Sequence, residues 1–141
     1  MQLSFSKAAL PAGGAKGAIV YKGAILTTRT VRRNGNADVI LVKGTPDGRT
    51  WTDGAVIASQ PDTPGTDIGD GCLCLVGKEL WFSYRDNQLR ANTFSIRVAH
   101  SLDGGKSWKA HSTVATSQGA RQGLWASHLF DVGDGRVLCT F

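Results

Sequence analysis

The sequence predicts an all-β fold built from repeated units of four antiparallel strands. Three observations support this prediction: a tight-turn motif that occurs twice, strand patterns that repeat at the same spacing, and a composition with 18 glycines, 41% hydrophobic residues and few stretches of helical periodicity. Frequent turn residues between short apolar stretches are typical of all-β chains. We expect about two and a half four-stranded units within the 141 residues.

The turn motif is SLDGGKSW, which runs from Ser101 to Trp108. The aspartate of this motif can accept hydrogen bonds from backbone N–H groups of the turn, and the glycines after it can adopt a positive φ. The closing tryptophan is expected to return to the core. A second copy, TPDGRTW, runs from Thr45 to Trp51 and lacks one glycine. We assign a structural role to the motif residues Ser101, Asp103, Gly105, Trp108, Asp47 and Trp51.

The repeat has a period of 56 residues, which separates Asp47 from Asp103 and, in the matching segments YKGAILTTR and GKELWFSYR, Arg29 from Arg85. A third partial copy, DGRVLCTF, begins at Asp134. This period exceeds the roughly 40 to 50 residues of WD40 and kelch repeats and fits a four-stranded propeller blade with long loops. Because β-propellers typically close with about four to eight blades, we expect the chain to be an N-terminal fragment of a longer protein.

Each segment has a place in this repeat. Blade one is predicted within residues 17–59, with strands at 18–21, 24–28, 39–43 and 55–59 and a polar loop at 29–36. Blade two is predicted within residues 72–116, with strands at 72–76, 80–84, 94–100 and 109–116 and a loop at 85–93. Residues 60–71 are predicted to be a linker because they are rich in proline and glycine. A second linker is predicted at 117–124, and blade three begins within 125–141. Residues 1–16 are predicted to be an irregular lead-in.

Composition and charge argue against several other classes of protein. The 16 basic residues give a net charge of +5, but they are scattered and no nucleic-acid-binding motif is present, so we expect no nucleic-acid partner. No apolar run approaches the roughly 18 residues of a membrane span, and no secretory signal is visible; localisation and oligomeric state stay open. Cys72, Cys74 and Cys139 lack the spacing of a zinc site and are predicted to be small buried residues. We predict neither a cofactor nor a metal.

The alternation of connections predicts that the two ends of each blade differ in role. The turns that join the first strand to the second and the third to the fourth, including both turn motifs, share one end, which we call the hairpin rim. The loops between second and third strands and the linkers share the other end, the linker rim. Charged and aromatic residues converge on the linker rim: Lys16, Arg29, Arg32, Arg33, Asp38, Asp67, Asp70, Arg85, Asp86, Arg90, Trp125 and His128.

This mixture of charges suits the binding or cleavage of a sugar, although it is also compatible with a merely solvated rim. Arginine binds carboxylates and hydroxyl groups, and a carboxylic acid can protonate the leaving group of a glycoside. The candidate catalytic residues are Asp70, Asp86 and Asp67. We favour Asp70, which precedes an inner strand, and Asp86, which the adjacent Arg85 could orient. The candidate substrate-binding residues are Arg32, Arg33, Arg85, Arg90, Trp125 and His128.

The motif S-x-D-G-G-x-S-W resembles the Asp-box of sialidases, and the whole chain resembles the first blades of a sialidase-superfamily propeller. In that family, an R-I-P tripeptide opens the first strand, where this sequence has Ala15-Lys16-Gly17. The family's acid/base aspartate lies in the loop that corresponds to 33–36, which contains no carboxylate before Asp38. Arg32 or Arg33 matches a second arginine of the family pattern.

The segment GLWASHLF, residues 123–130, resembles the G-L-W-E-P-F segment of fungal exo-arabinanase-like propellers, with Ala126 in place of the glutamate. Glu79, the only glutamate of the chain, falls on the hairpin rim, so any activity would have to use the aspartates of the linker rim. These resemblances imply an exo-acting glycoside hydrolase that cleaves terminal sugars from glycans. The alternative is a non-catalytic propeller that binds carbohydrate or protein.

Overall fold

The computed structural model describes residues 17–119 and 123–141, which form ten β-strands in three antiparallel sheets. The first sheet contains β1 Ile19–Tyr21, β2 Ala24–Arg33, β3 Asn36–Gly44 and β4 Trp51–Pro61, in that order. The second contains β5 Thr66–Val76, β6 Glu79–Gln88, β7 Thr93–Ser101 and β8 Lys109–Gln118, with a short 3-10 helix at Leu89–Ala91. The third pairs β9 His128–Gly133 with β10 Arg136–Thr140. The predicted all-β class, with two four-stranded units and half of a third, is confirmed.

The main core lies between the first two sheets. Side chains of a strand alternate between its two faces, so Val39 and Leu41 of β3 enter this core together with Phe82 and Tyr84 of β6. Phe82 is fully buried, and its ring stacks on that of Tyr84 with the centroids 5.7 Å apart. Burial of each large apolar side chain contributes about 1.5 to 3 kcal/mol to the free energy of folding. The opposite face of the second sheet packs against β9, where Leu129 is buried.

Contacts between neighbouring sheets follow the two predicted rims. On the hairpin rim, Gly104 of the β7–β8 turn lies against the hydroxyl of Tyr21, where β1 ends. On the linker rim, Arg32 donates a hydrogen bond of 3.2 Å to the carbonyl oxygen of Thr66. The side-chain amide of Gln88 donates to that of Gln60 at 2.9 Å. Blades one and two therefore pack side by side, with their corresponding ends at the same rim. Residues from both blades meet at each rim.

Several strands are longer than the sequence predicted. Residues 29–36, which were predicted to be a loop, belong to β2 and β3 apart from a tight turn at Asn34-Gly35, where φ is 51° and 74°. This pair of positive φ angles is typical of the two-residue turn of a β-hairpin, which Asn-Gly favours. The polar residues of this stretch suggested a loop, whereas its Asn-Gly pair is the signal of a hairpin.

The predicted linker at 60–71 and the predicted start of blade two at residue 72 are also wrong. β4 continues to Pro61 and β5 begins at Thr66, so only a short connection separates the sheets. Pro61 is tolerated because it ends an outer strand, where its missing N–H removes no hydrogen bond from the sheet. The predicted loop at 85–93 is likewise mostly strand and the short 3-10 helix.

Two sequence predictions concern residues that the structure does not describe. Lys16 and the predicted lead-in at 1–16 lie outside the described residues. Within the described ranges, no helix combines the length and the apolar character that crossing a membrane would require.

The β7–β8 turn is organised by hydrogen bonds to Asp103. Its Oδ1 accepts from the backbone N–H groups of Lys106 at 3.0 Å and Ser107 at 2.9 Å and from the Ser101 hydroxyl at 2.8 Å. Its Oδ2 accepts from the Ser107 hydroxyl at 2.6 Å. The Ser101 hydroxyl in turn accepts from the N–H of Gly105 at 2.8 Å. The hydrogen bonds from Ser107 are the main cause that holds the pKa of Asp103 well below its ordinary value.

The tryptophans of the two turn motifs are partly buried. Trp51 donates its indole N–H to the carbonyl oxygen of Gly48 at 2.9 Å, and its ring covers Gly44 so closely that no side chain would fit there. Trp108 packs against the core between the first two sheets. Each tryptophan therefore joins its turn to the body of its own sheet.

We expect Asp103→Asn to lower the stability of the protein in a pH-dependent manner. Because the pKa of folded Asp103 lies below its ordinary value of 3.8, the ionised carboxylate stabilises the fold above that pH, and this contribution is lost as the pH falls toward the folded pKa. The difference in Tm between the two proteins should therefore be largest near neutral pH and shrink below about pH 4.

Melting curves measured between about pH 3 and pH 7 test this expectation. Asp47→Asn is the matched control. Asp47 accepts from the Thr45 hydroxyl at 2.5 Å and the Arg49 N–H at 3.1 Å, whereas Asp103 accepts from two hydroxyls and two backbone N–H groups, so the effect of Asp47→Asn should be smaller. A difference in Tm for Asp103→Asn that stays constant with pH would contradict the role of the ionised carboxylate.

Candidate functional site

A β-bulge interrupts β5 between Gly69 and Cys72 and presents Asp70 at the linker end of this inner strand. Asp70 has a φ of 51°, which is uncommon for a residue with a side chain. Both flanking glycines are required sterically, because a Cβ at Gly69 would meet the Thr30 hydroxyl and a Cβ at Gly71 would overlap the carbonyl oxygen of Ser83. Bulges that redirect one side chain are common beside functional sites.

The carboxylates of Asp67 and Asp70 share one arginine, Arg85 of β6. Nη2 of Arg85 donates to Oδ1 of Asp67 at 2.8 Å, and Nε lies 2.8 Å from Oδ2 of the same residue. Nη1 donates to Oδ2 of Asp70. Burial opposes the charge of this guanidinium, but the hydrogen bonds and charges of the two aspartates outweigh burial and raise the pKa of Arg85. One cation therefore holds two carboxylates side by side.

Trp125 lies beside this ion-paired group. The centroid of its ring is 5.8 Å from the guanidinium carbon of Arg85 and 6.1 Å from the ring of Phe94, while 52% of the residue remains exposed. The preceding residue, Leu124, is held through its carbonyl oxygen, which accepts from the side-chain amide of Asn87 at 3.0 Å. We refer to Asp67, Asp70, Arg85 and Trp125 together as the aspartate–arginine cluster.

Asp86 lies on the other face of β6, away from this cluster. It pairs in register with Ile68, a residue of the core between the first two sheets, and its Oδ2 lies 2.9 Å from Nε of Arg97. Burial raises the pKa of Asp86, and the charge of Arg97 offsets part of this rise. The expectation that Arg85 orients Asp86 is therefore wrong, because adjacent residues of a strand point to opposite faces.

The arginines of blade one do not belong to the cluster. Arg29 lies within β2 and pairs with Asp53 of β4 at 2.6 Å, so its predicted place in a rim loop is wrong. Arg33 pairs with Asp38 at 3.0 Å, and Asp38 also accepts from Ser59 at 2.6 Å.

The remaining predicted residues are dispersed. Arg32 contacts Asp62 and reaches across to β5, between the first two sheets. Arg90 lies exposed on the 3-10 helix and forms no ion pair with any described residue. His128 is exposed at the start of β9, where its ring stacks on that of Phe130 at 6.5 Å. Among the described residues that were predicted at the linker rim, Asp67, Asp70, Arg85 and Trp125 form one group.

Asn87 and Arg97 are two residues near the site that were not predicted from the sequence. Asn87 is completely buried, accepts from the backbone N–H of Ser95 at 3.1 Å and holds the segment before Trp125. The signal that could have identified Asn87 is the polar run Arg85-Asp86-Asn87-Gln88, which directly follows the apolar part of a strand. Arg97 carried no comparable signal, since a basic residue within a strand most often faces solvent.

The solved structures that are similar to this one include an arabinanase and a sucrose-6-phosphate hydrolase. The α-L-arabinanase of Penicillium chrysogenum, solved in complex with arabinobiose, matches with a TM-score of 0.61 and 18% identity over 77% of this chain and 32% of that chain. The sucrose-6-phosphate hydrolase of Lactobacillus gasseri matches with a TM-score of 0.55 and 14% identity over 76% of this chain and 23% of that chain. The fold is that of a β-propeller. At these identities the similarity concerns the fold alone.

No protein-family model matches the sequence, and no curated protein does so either. The chain spans less than a third of the length of the two similar structures. Both similar proteins are glycoside hydrolases, so the fold described here occurs in propeller enzymes of that class. The finer resemblance to sialidases rests on the sequence motifs.

Proposed function

We propose that this chain belongs to an exo-acting glycoside hydrolase and that the aspartate–arginine cluster binds the terminal sugar of its substrate. The observation that carries the proposal is the pairing of Asp67 and Asp70 with one arginine beside an exposed tryptophan at the linker rim. Glycosidases use paired carboxylates and a transition state that carries positive charge on the sugar ring. The propeller fold, which the arabinanase and the sucrose-6-phosphate hydrolase share, supports the same class.

The two aspartates have different roles in this proposal. Asp67 contacts Arg85 through both of its carboxylate oxygens and anchors the guanidinium. Asp70, held in the bulge, is the carboxylate that meets the substrate, where its charge stabilises the developing positive charge or activates water. Arg85 holds both carboxylates in place through its ion pairs with them. The proton for the leaving group then comes from a residue outside the cluster.

Trp125 is proposed to be the platform for the sugar ring. Binding sites for small ligands combine apolar and aromatic surface with a few well-placed polar groups. The indole ring offers such a surface next to the polar groups of Arg85, and the hydrogen bond from Asn87 to Leu124 keeps it in place. A sugar that stacks on this ring brings its hydroxyl groups to the cluster.

A propeller that binds sugar without cleaving it is the second candidate function. It is favoured by one specific observation: Asp86, whose pKa burial raises as a general acid would require, faces away from the cluster. Under this alternative the aspartate–arginine cluster would bind hydroxyl groups, and no bond would be broken.

The experiment that separates the two functions is a product analysis. The protein is incubated with arabino-oligosaccharides, sialyl-oligosaccharides and fructosyl-oligosaccharides, and the products are resolved by chromatography. Release of monosaccharide alone supports an exo-acting hydrolase. Release of longer fragments would contradict the exo mode, and binding without any release would favour the binding propeller.

We expect Trp125→Ala to weaken binding of the sugar about tenfold, with a smaller effect on kcat. Loss of an aromatic contact of about 1 to 1.5 kcal/mol corresponds to this factor. KM for the active oligosaccharide, or Kd where nothing is released, provides the measurement. Trp51→Phe on the hairpin rim is the control that should leave binding unchanged, and equal effects of the two substitutions would contradict the platform.

A further inference from the structure

A cavity lies at the linker rim, on the face of β6 opposite the aspartate–arginine cluster. It has a volume of about 280 Å³ and lies between the end of β4 and the outer strands of the second sheet. Its polar wall includes the amide side chains of Gln60, Gln88 and Gln118 and the hydroxyl of Thr116. We call this cavity the interblade cleft.

Asp86 is the most buried charged group in the wall of the interblade cleft. Only 7% of its side chain is exposed, and Oδ2 lies 2.9 Å from Nε of Arg97. Oδ1 is buried and has no hydrogen-bond partner among the described residues. Buried polar atoms are nearly always hydrogen-bonded, and a buried unpaired acceptor costs about 1 to 3 kcal/mol. The acceptor is therefore available to a donor that enters the cleft.

Arg97 supplies the complementary donors. Its side chain is 48% exposed and lines the same cleft. A guanidinium carries five N–H donors, and Nε of Arg97 contacts Asp86. Five donors exceed what one carboxylate oxygen can accept, so the half-exposed guanidinium keeps donors for a ligand in the cleft. Asp86 and Arg97 thus place an acceptor and donors side by side. Two neighbouring hydroxyl groups of a sugar can bind both residues, because one hydroxyl can donate to Asp86 while the other accepts from Arg97.

We infer that the interblade cleft is a second sugar-binding site, in which Asp86 accepts from and Arg97 donates to hydroxyl groups of one neutral sugar residue. The Asp86–Arg97 pair is balanced in charge, so it favours a neutral ligand over an anion or a cation. The remaining wall offers three amides and several hydroxyl groups. A volume of about 280 Å³ is close to the lower limit of ligand pockets, roughly 300 Å³, which suits one ring rather than a long chain.

This inference depends on the proposed function in one respect, namely that the ligand is a sugar. Because Asp86 and Arg85 project from opposite faces of β6, one sugar residue cannot contact both sites. The interblade cleft would therefore hold a more distant residue of a glycan, or a separate glycan, while the aspartate–arginine cluster holds the terminal sugar.

Nuclear magnetic resonance can follow both sites in one titration of the protein. Arabinobiose, sucrose, lactose and methyl galactoside are added as neutral probes, and two signals are recorded: the Nε–H of Arg97 for the interblade cleft and the indole N–H of Trp125 for the cluster. We expect at least one probe to shift the Arg97 signal in a saturable manner. Asp86→Ala should weaken that binding by about tenfold or more, with the Trp125 titration unchanged.

A matched control and a second variant keep the result interpretable. Asp53→Asn removes the charge of a different aspartate that pairs with arginine on a strand, and it should leave the Arg97 titration unaltered. If Asp86→Ala does not fold, Arg97→Gln replaces a half-exposed side chain and should cause a comparable loss of affinity. Binding to this variant is followed through the signals of the side-chain amides of Gln60 and Gln88.

The outcomes of the titration decide between the two sites. If none of the probes shifts the Arg97 signal, the second site is overturned, even if the Trp125 signal responds. A response at Arg97 without one at Trp125 supports the cleft and counts against the proposed function of the cluster.

Discussion

Asp70→Asn is expected to lower kcat/KM for the hydrolysed oligosaccharide by a factor of about 10² to 10⁴, the range that a positioned catalytic carboxylate typically contributes. The substitution removes the negative charge of the residue that the β5 bulge presents beside Arg85. The fold should persist, because asparagine tolerates the positive φ of 51° at this position. If the protein binds sugar without cleaving it, the same substitution should reduce its affinity for that sugar.

The measurement is a kinetic comparison with the wild-type protein, accompanied by circular dichroism and a melting curve to establish that the fold is intact. Glu79→Gln on the hairpin rim is the matched control: Glu79 accepts from the indole N–H of Trp81 at 3.1 Å, and glutamine retains an acceptor there. Full activity in a folded Asp70→Asn protein would eliminate Asp70 as the catalytic carboxylate. Equal losses in both variants would point to a general effect of charge.

Gly71→Ala is expected to destabilise the protein by about 3 kcal/mol or more, at or above the usual range for overpacking. A Cβ at this position would overlap the backbone carbonyl oxygen of Ser83 in the neighbouring strand, and backbone cannot move aside as the end of a side chain can. The strands β5 and β6 would have to separate beside the bulge. Because Asp70 precedes Gly71, activity should decline even in the fraction of the protein that remains folded.

Gly77→Ala is the control for this prediction. Gly77 also has a positive φ, 59°, but a Cβ there meets nothing within 4 Å. Its replacement by alanine should therefore lower the free energy of unfolding by about 1 to 2 kcal/mol, through backbone strain alone. Denaturant unfolding curves of the two variants provide the comparison, and equal losses of stability would show that the clash with Ser83 is relieved without cost.

The residues of the candidate site were predictable to different degrees. Asp67, Asp70, Arg85 and Trp125 were all assigned to the linker rim because the order of strands and turns decides which end of a blade a residue reaches. Their contacts could not be predicted in the same way. The bulge at Gly69–Gly71 shifts the register of β5 against β6, and a shift of one residue moves a side chain to the opposite face of a sheet.

The arginines of blade one illustrate the same limit. Arg29, Arg32 and Arg33 were grouped on the linker rim, but the strands of the β2–β3 hairpin extend through this region. Because side chains alternate along β2, Arg29 and Arg33 lie on one face of the strand and Arg32 lies on the other. The three arginines pair with three different aspartates. The Asn34-Gly35 pair was the local signal for this hairpin.

The sequence by itself determined the all-β class, the order of strands and the chemistry of the turns, because these properties depend on residues that are close together in the chain. The period of 56 residues and the motif around Asp103 carried that information. Only the tertiary structure decided which charges meet. Asp67 and Asp70 share Arg85, whereas Asp86 turns to Arg97, since these pairings depend on register, on one bulge and on the approach of neighbouring sheets. These contacts join residues far apart in sequence, and no local pattern of residues encodes them.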